Sequence, residues 1–426
     1  MVGTMSLIDR WAVSRWFVGW SQRVRGEVAM VLGARVVTVG SGIVFVLLTA
    51  RHLGPTGRGE IAVAFTIAYT TAKLSDLGTT TSGRIHLLVP DGSIGTNDFC
   101  SLTITLIPLQ AMLAAVVVGV LSWTTLHLDR SFLLAVIGLS VATMMFRSAV
   151  SMLYGLRRYR VVMVAETALA VLVVVALTFL LVSGRLTTTS AVTTMAVGSA
   201  LCAVWLVGRP GVLERGRGPV LMAHWRTLIV DGISPMVGGF LFFLALRIDR
   251  LILAMIAGAN SVGLYTVALA FPETLRILPM AVGQVIADRG RSGIDSVATV
   301  RLHGRLAILG YLIVLIVAAM VGSVLLPLAF GEGFREAREI LMIVTVAEAF
   351  LSVHLMQQAL LVGFGSPHSI GVPGAVGGVV MVVLDLVMIP AWGLHGAAWA
   401  CVIGYAALSA TSVLWTSRAL GRADIT

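Results

Sequence analysis

Twelve apolar runs occupy most of the chain, near residues 28–50, 61–82, 100–123, 132–154, 161–182, 190–207, 228–252, 261–285, 306–329, 339–362, 370–389 and 394–416. Each is close to the ~20 residues that carry a helix across a bilayer. Inside hydrocarbon every backbone N–H and C=O must find its partner within the segment, so runs of this length can only be helices. The chain is 58% hydrophobic and 12% charged, against roughly 25% charged residues in soluble domains. Its mean hydropathy is +0.98. The sequence therefore predicts an all-α polytopic membrane protein with twelve transmembrane helices. The longest connection, Gly208 to Thr227, is basic and carries Pro210 and Pro219, as a linker between two bundles would. No connection is long enough to form a soluble domain.

The net charge of +10 comes from 30 Lys+Arg against 20 Asp+Glu. With residue 1 on the cytoplasmic side, 18 of the 30 basic residues fall in cytoplasmic segments and 6 on the opposite side. That is the positive-inside distribution, and it places both termini in the cytoplasm. The basic surplus is thus read as orientation and contact with membrane lipids, not nucleic acid. Residues 5–25 alternate Trp11, Trp16, Phe17 and Trp20 with Arg10, Arg15 and Arg23, the pattern of a helix lying in the membrane interface. No cleavable signal core is found there, so the first span is expected to act as the insertion signal. Cys100, Cys202 and Cys401 are far apart and lie in or beside apolar spans, which suggests packing, not disulfides or metal.

A faint repeat divides the chain. Gly54 in the turn after span 1 pairs with Gly258 after span 7, and Gly59 with Gly263, both at an offset of 204 residues (258 − 54 and 263 − 59). Six spans separate the copies, so they share topology, as in a parallel repeat about an axis along the membrane normal. The expected organisation is an interfacial segment over 1–27, an N-lobe of helices 1–6 over 28–207, a linker over 208–227, a C-lobe of helices 7–12 over 228–416 and a tail over 417–426.

Six cations lie inside the apolar spans: Arg35, Lys73, Arg147, Arg247, Arg250 and Arg276. A charge at membrane depth costs at least ~2.5–3.5 kcal/mol on insertion scales, so such residues normally face a bundle interior or a water-filled path. Glu273 with Arg276, and Lys73 with Asp76, are spaced to pair on one helix face, as struts. Arg247 and Arg250 share a face and cannot neutralise each other; Asp249 lies off it. Arg250 and Arg147 are near span ends, where snorkelling to headgroups is the alternative. Planar guanidinium groups suit phosphate, donating two parallel hydrogen bonds while staying charged. A cationic cavity in a bilayer therefore predicts an anionic, pyrophosphate-bearing amphiphile. Asp76, Glu166, Asp249, Glu273, Glu348 and Asp385 are the carboxylates that could couple transport to an ion, with Glu348 and Asp385 ranked first because neither has a cation nearby on its own helix. Pro272 and Pro279 in span 8, and Pro235 in span 7, permit kinks. No nucleotide loop, metal-ligand spacing or nucleophile elbow is present, so neither an enzyme nor a cofactor is predicted.

Several stretches carry a resemblance: Arg51-His52-Leu53-Gly54-Pro55 with Gly59, Asp76-Leu77-Gly78, Arg247-Ile248-Asp249-Arg250 followed by Val262-Gly263-Leu264-Tyr265, Leu326 to Gly331 with Phe334 and Ala337, and Ile389 to Ala398. In that order the chain resembles the polysaccharide-transport family, the Wzx-type flippases of lipid-linked oligosaccharides, within the multidrug/oligosaccharidyl-lipid/polysaccharide exporter superfamily. The resemblance implies two six-helix lobes arranged as a V with pseudo-twofold symmetry, and alternating access of a cationic cavity. It also implies a polyprenyl-pyrophosphate-linked glycan as substrate, H+ or Na+ as coupling ion, a bacterial cytoplasmic membrane, and glycosyltransferases or a polymerase of the same pathway as partners. The multidrug branch relies on an acid in its first helix, where this chain has Arg35 and only Glu27 at the mouth. A lipid II-type peptidoglycan-precursor flippase, a branch that typically has fourteen helices, is the second reading. A glycan polymerase would need a large extracytoplasmic loop, and a non-transporting scaffold of a glycan-assembly complex would not need the intramembrane arginines.

Overall fold

The computed structural model describes residues 7–88, 94–123, 129–210, 212, 222–291, 296–364 and 367–423; the side chains before Gly33 and that of Arg35 are among those outside the described set, as is most of the expected linker. Among the described residues twelve α-helices follow in order: α1 (Leu7–Ser75), α2 (Thr79–His86), α3 (Thr96–Leu121), α4 (Arg130–Gly155), α5 (Tyr159–Val182), α6 (Thr188–Val207), α7 (Met222–Ala245), α8 (Ile248–Leu275), α9 (Ile277–Arg291), α10 (Val297–Phe330), α11 (Ala337–Phe364) and α12 (Pro367–Ala423).

These elements are not the twelve expected spans one for one. A straight helix over the 69 residues of α1 would be about 100 Å long at 1.5 Å per residue. It folds back instead: Gly54 has φ 69° and ψ −174°, and the Phe45 and Phe65 rings on either side of it lie 5.5 Å apart. α8 reverses in the same way at Gly258, with φ 79° and ψ 174°, which brings the Tyr265 hydroxyl within 2.6 Å of Asp249. α12 reverses at Gly393 (φ 54°), setting Gly404 against Met381. Only glycine enters these conformations without a Cβ penalty. Nine helical runs among the described residues are long and apolar enough to cross a membrane; three of them contain a reversal, and the short part of α8 before Gly258 completes a pass begun by α7, which together match the twelve expected spans. The remaining ends carry ordinary signals. Asp129 caps α4 through Ser131 N–H at 3.3 Å, Ser296 caps α10 through Thr299 N–H at 3.2 Å, and α5 closes on Gly184 with Arg185 N–H bonded to the Leu180 carbonyl at 2.8 Å.

Two expected spans are interrupted at a cation. Span 7 is divided between α7 and α8, where Arg247 leaves helical geometry at φ −140°, ψ −18°. Span 8 is divided between α8 and α9 at Arg276. The second break follows from Pro279, which has no N–H to bond the Leu275 carbonyl four residues back. Span 2 also breaks, between α1 and α2, where Asp76 accepts from Gly78 N–H at 2.7 Å and from the Thr80 hydroxyl at 2.5 Å.

Helices α1 to α6 pack among themselves, as do α8 to α12, while α7 contacts α2 and α3 as well as α12. The two groups meet mainly where α1 crosses α8. There a Cβ on Gly59 would sit 1.7 Å from the Ala259 carbonyl oxygen, and one on Gly263 would sit 1.8 Å from that of Pro55. Since 55 + 204 = 259 and 59 + 204 = 263, the contact is reciprocal: each copy of the repeat presents the same two positions to the other, as a twofold interface requires. At the other end of the bundle, Gly78 and Gly232 approach equally closely, with a Gly78 Cβ 2.0 Å from the Gly232 carbonyl oxygen. Ser82 donates to the Leu228 carbonyl at 2.5 Å, His86 pairs with Asp231 at 2.8 Å and His224 with Asp98 at 3.0 Å. The outer faces are apolar: Leu309, Ile313, Ile316, Met320, Val324 and Leu328 form an exposed stripe along α10, at home in lipid and not in water. The chain is a multi-pass membrane protein.

Gly263→Ala is expected to destabilise by about 1–3 kcal/mol or more through overpacking, whereas Gly40→Ala, with nothing within 4 Å of its new Cβ, should leave stability unchanged or raise it by up to ~1 kcal/mol. Thermal unfolding of the two variants in detergent provides the comparison.

Candidate functional site

Two chambers lie inside the bundle. One, of about 740 Å³, sits within the first group of helices and is lined by Arg58, Lys73, Arg84, Arg147 and Glu166 together with hydroxyls of Thr38, Ser41, Thr80, Thr143, Ser151 and Ser199. The other, of about 950 Å³, lies between α1 and the α8–α9 segment and is lined by Arg58, Arg247, Arg250, Arg276 and Glu273. They share a wall of Gly42, Val46, Arg58, Phe65 and Tyr69. Across both, seven cations face two carboxylates, with Arg58 counted once. A surplus of that size within apolar surroundings favours an anionic occupant.

The cations are held differently on the two sides. Between the lobes they are tied to carboxylates. Glu273 Oε1 accepts from Arg250 Nη2 at 2.5 Å, and lies 3.5 Å from Arg276 Nη1 and 3.8 Å from Arg247 Nη1. The Arg276 guanidinium also grips Glu348 with its Nε, at 2.9 Å to Oε2, and with its Nη2. Bidentate geometry of this kind makes the stronger class of ion pair. In the N-lobe chamber the guanidinium groups rest on aromatic rings: Arg147 is 5.7 Å from the Tyr69 centroid, Arg84 5.0 Å from Tyr154, and Arg58 5.8 Å from Phe45. Stacking of this type holds a planar cation without neutralising it.

Of the cations singled out in the sequence, Lys73 and Arg147 line the first chamber and Arg247, Arg250 and Arg276 the second; the Arg35 side chain lies outside the described residues. Arg250 does not snorkel: it is 6% exposed and paired with Glu273. Glu273 and Arg276 pair as their spacing suggested. Lys73 and Asp76 do not. Asp76 is 4% exposed and accepts from Gly78 N–H and the Thr80 hydroxyl at the turn into α2, and no ion pair to Lys73 forms among the described residues, leaving that ammonium to the chamber. Glu348 was ranked as a coupling carboxylate because it has no cation on its own helix, yet Arg276 reaches it from α8's end. Asp385 keeps its distinction: it is fully buried and neither oxygen has a hydrogen-bond partner among the described residues. Asp249 accepts from Tyr265 at 2.6 Å. Arg58 and Arg84, which fall outside the twelve apolar runs of the sequence, both line a chamber. The repeat held the signal for Arg58, since 58 + 204 = 262 and Val262 is fully buried.

No family model matches the sequence, and no curated protein matches it. Among solved structures the chain is similar to an inward-facing multidrug resistance MATE family transporter of the MOP superfamily, at 13% identity with a TM-score of 0.72, covering 91% of this chain and 96% of that one. It is similar to the lipid II flippase MurJ in an inward closed conformation, at 12% identity with a TM-score of 0.69, covering 91% and 86%. An outward-facing MATE transporter of the same superfamily superposes with a TM-score of 0.55 at 13% identity over 92% and 94%. The chain has the exporter fold of these proteins.

In this exporter fold the Arg276–Glu348 pair is buried between α8–α9 and α11, with Glu348 1% exposed. Removing one partner strands the other charge, so Glu348→Leu is expected to cost about 3–5 kcal/mol, while the double variant Arg276→Leu/Glu348→Leu recovers most of that loss. A double-mutant cycle on thermal unfolding measures the difference.

Proposed function

We propose that the chain is a flippase that carries a polyprenyl-pyrophosphate-linked oligosaccharide, a cell-envelope polysaccharide precursor, across the bacterial cytoplasmic membrane by alternating access. The observation that carries this reading is the set of cations lining two adjacent chambers, with fewer carboxylates than cations in their walls. A drug cation would be repelled there. A diphosphate is attracted, and the guanidinium forks suit its oxygens. The hydroxyls around the N-lobe chamber supply the short-range donors and acceptors that a glycan's own hydroxyls need. A polyprenyl tail has no reason to enter and stays in lipid.

The route follows from the two contacts between lobes. With the Gly59–Gly263 crossing closed and the Gly78–Gly232 contact with its His86–Asp231 and His224–Asp98 pairs released, the chambers would open to the cytoplasm; the reverse arrangement would open them outward. The exporter fold, which solved MATE transporters adopt in an inward-facing and an outward-facing form, supports this order. Buried Asp385, within electrostatic reach of Asp249, is the group at which uptake of H+ or Na+ would couple to the lobes' movement. The likeness to the lipid II flippase supports a second reading, a peptidoglycan precursor, which shares the pyrophosphate and differs in the glycan.

Lys73→Ala and Arg147→Ala are each expected to slow translocation of the lipid-linked glycan about tenfold to a hundredfold, the worth of a charge-assisted hydrogen bond of ~1.5–3 kcal/mol. Arg147→Lys should lose part of that, since it keeps charge without the fork. The readout is the lipid-linked intermediate left on the inner leaflet of cells bearing each variant; full activity in both alanine variants would remove the site from this reading.

A further inference from the structure

Among the described arginines of the two chambers, Arg58 is the one that is buried without a carboxylate partner, since Arg84 and Arg147 are exposed. It is 7% exposed, its Nε and Nη1 have no hydrogen-bond partner, and no carboxylate pairs with it among the described residues. Arg250 and Arg276 are engaged by Glu273 and Glu348, and Arg247 approaches Glu273. Arg58 lies in the wall that both chambers share, over the Phe45 ring and one residue from the Gly59–Gly263 crossing. A buried guanidinium with idle donors is costly unless something anionic satisfies it. Among the described residues nothing accepts from those two donors, and Glu273, whose charge reaches Arg58, is already shared by Arg247, Arg250 and Arg276.

On the flippase reading just proposed, we infer that Arg58 is the primary anchor for the diphosphate, at the junction of the two chambers. Lys73 and Arg147 hold the group from the N-lobe side. The arginines between the lobes hold it second, because each would have to give up a carboxylate. Arg58 lies outside the apolar runs of the sequence, whereas Arg247, Arg250 and Arg276 lie within them. With Arg58 in this role the anchor is local to the contact between lobes, so a bound diphosphate bears directly on the segment that closes one end.

Binding of geranylgeranyl diphosphate, geranylgeranyl monophosphate and inorganic pyrophosphate to the full chain in lipid nanodiscs tests the assignment. Arg58→Gln is expected to weaken diphosphate binding at least tenfold and Arg58→Lys by less, while Arg51→Gln, an exposed arginine near the same end that lines neither chamber, stays within threefold of wild type. The monophosphate should bind more weakly than the diphosphate; competition by inorganic pyrophosphate as strong as by the prenyl compound would mark a free-anion site and overturn the lipid assignment. Size-exclusion profile and melting temperature without ligand establish that each variant is folded, with Arg58→Lys carrying the comparison should Arg58→Gln not fold. Wild-type binding that Arg58→Gln or Arg58→Lys retains in full overturns the role of Arg58 alone. No diphosphate binding to wild type overturns the flippase reading as well.

Discussion

Two tight turns cross with no side chain between them, and the architecture rests on that crossing. Gly59 and Gly263 allow the backbones of α1 and α8 to come closer than any Cβ would permit. The identical offset of the partners makes the contact symmetric. This is where the two groups of helices are held in register, and the larger chamber lies just beneath it, bounded by the same two hairpins. Small residues serve this purpose in membranes because helices there gain nothing from hiding apolar surface from each other and associate by close packing.

The symmetry is one of backbone and not of chemistry. At the offset of 204 residues, Phe45 corresponds to Asp249, Tyr69 to Glu273, Val46 to Arg250 and Arg58 to Val262. One lobe uses aromatic rings where the other uses ions. Arg247 and Arg276 interrupt their helices, while the corresponding Ile43 and Ala72 lie in unbroken stretches of α1. As a result the C-lobe cations are tied to carboxylates, while no carboxylate among the described residues forms an ion pair with Lys73, Arg147 or Arg58.

Much of the fold was legible in the residues because bilayer physics leaves few alternatives. Apolar length gave the passes, and Gly54, Gly258 and Gly393 stand where the chain must reverse. The site was legible in type more than in detail. Spacing along one helix brought out Glu273 with Arg276, but it could not reveal Arg276 with Glu348, whose positions are 72 residues apart. It suggested Lys73 with Asp76, where a local turn at Gly78 claims the carboxylate instead. The break at Arg247 has no proline close enough to announce it. Arg58 was hidden by its polar neighbours, which read as loop because the tightness of the hairpin is a three-dimensional fact.

The contact at Gly59 and Gly263 has a mechanical corollary. At these two positions main chain meets main chain with no Cβ to interlock, so the crossing can act as a fulcrum. From Gly59 to Gly78 is 19 residues, close to 30 Å of helix. Over that arm a tilt of about 10° displaces the far end by about 5 Å, near the 5.4 Å of one helical turn. Leverage of this size is enough to pull the backbones of Gly78 and Gly232 out of van der Waals touch while the pivot itself hardly moves.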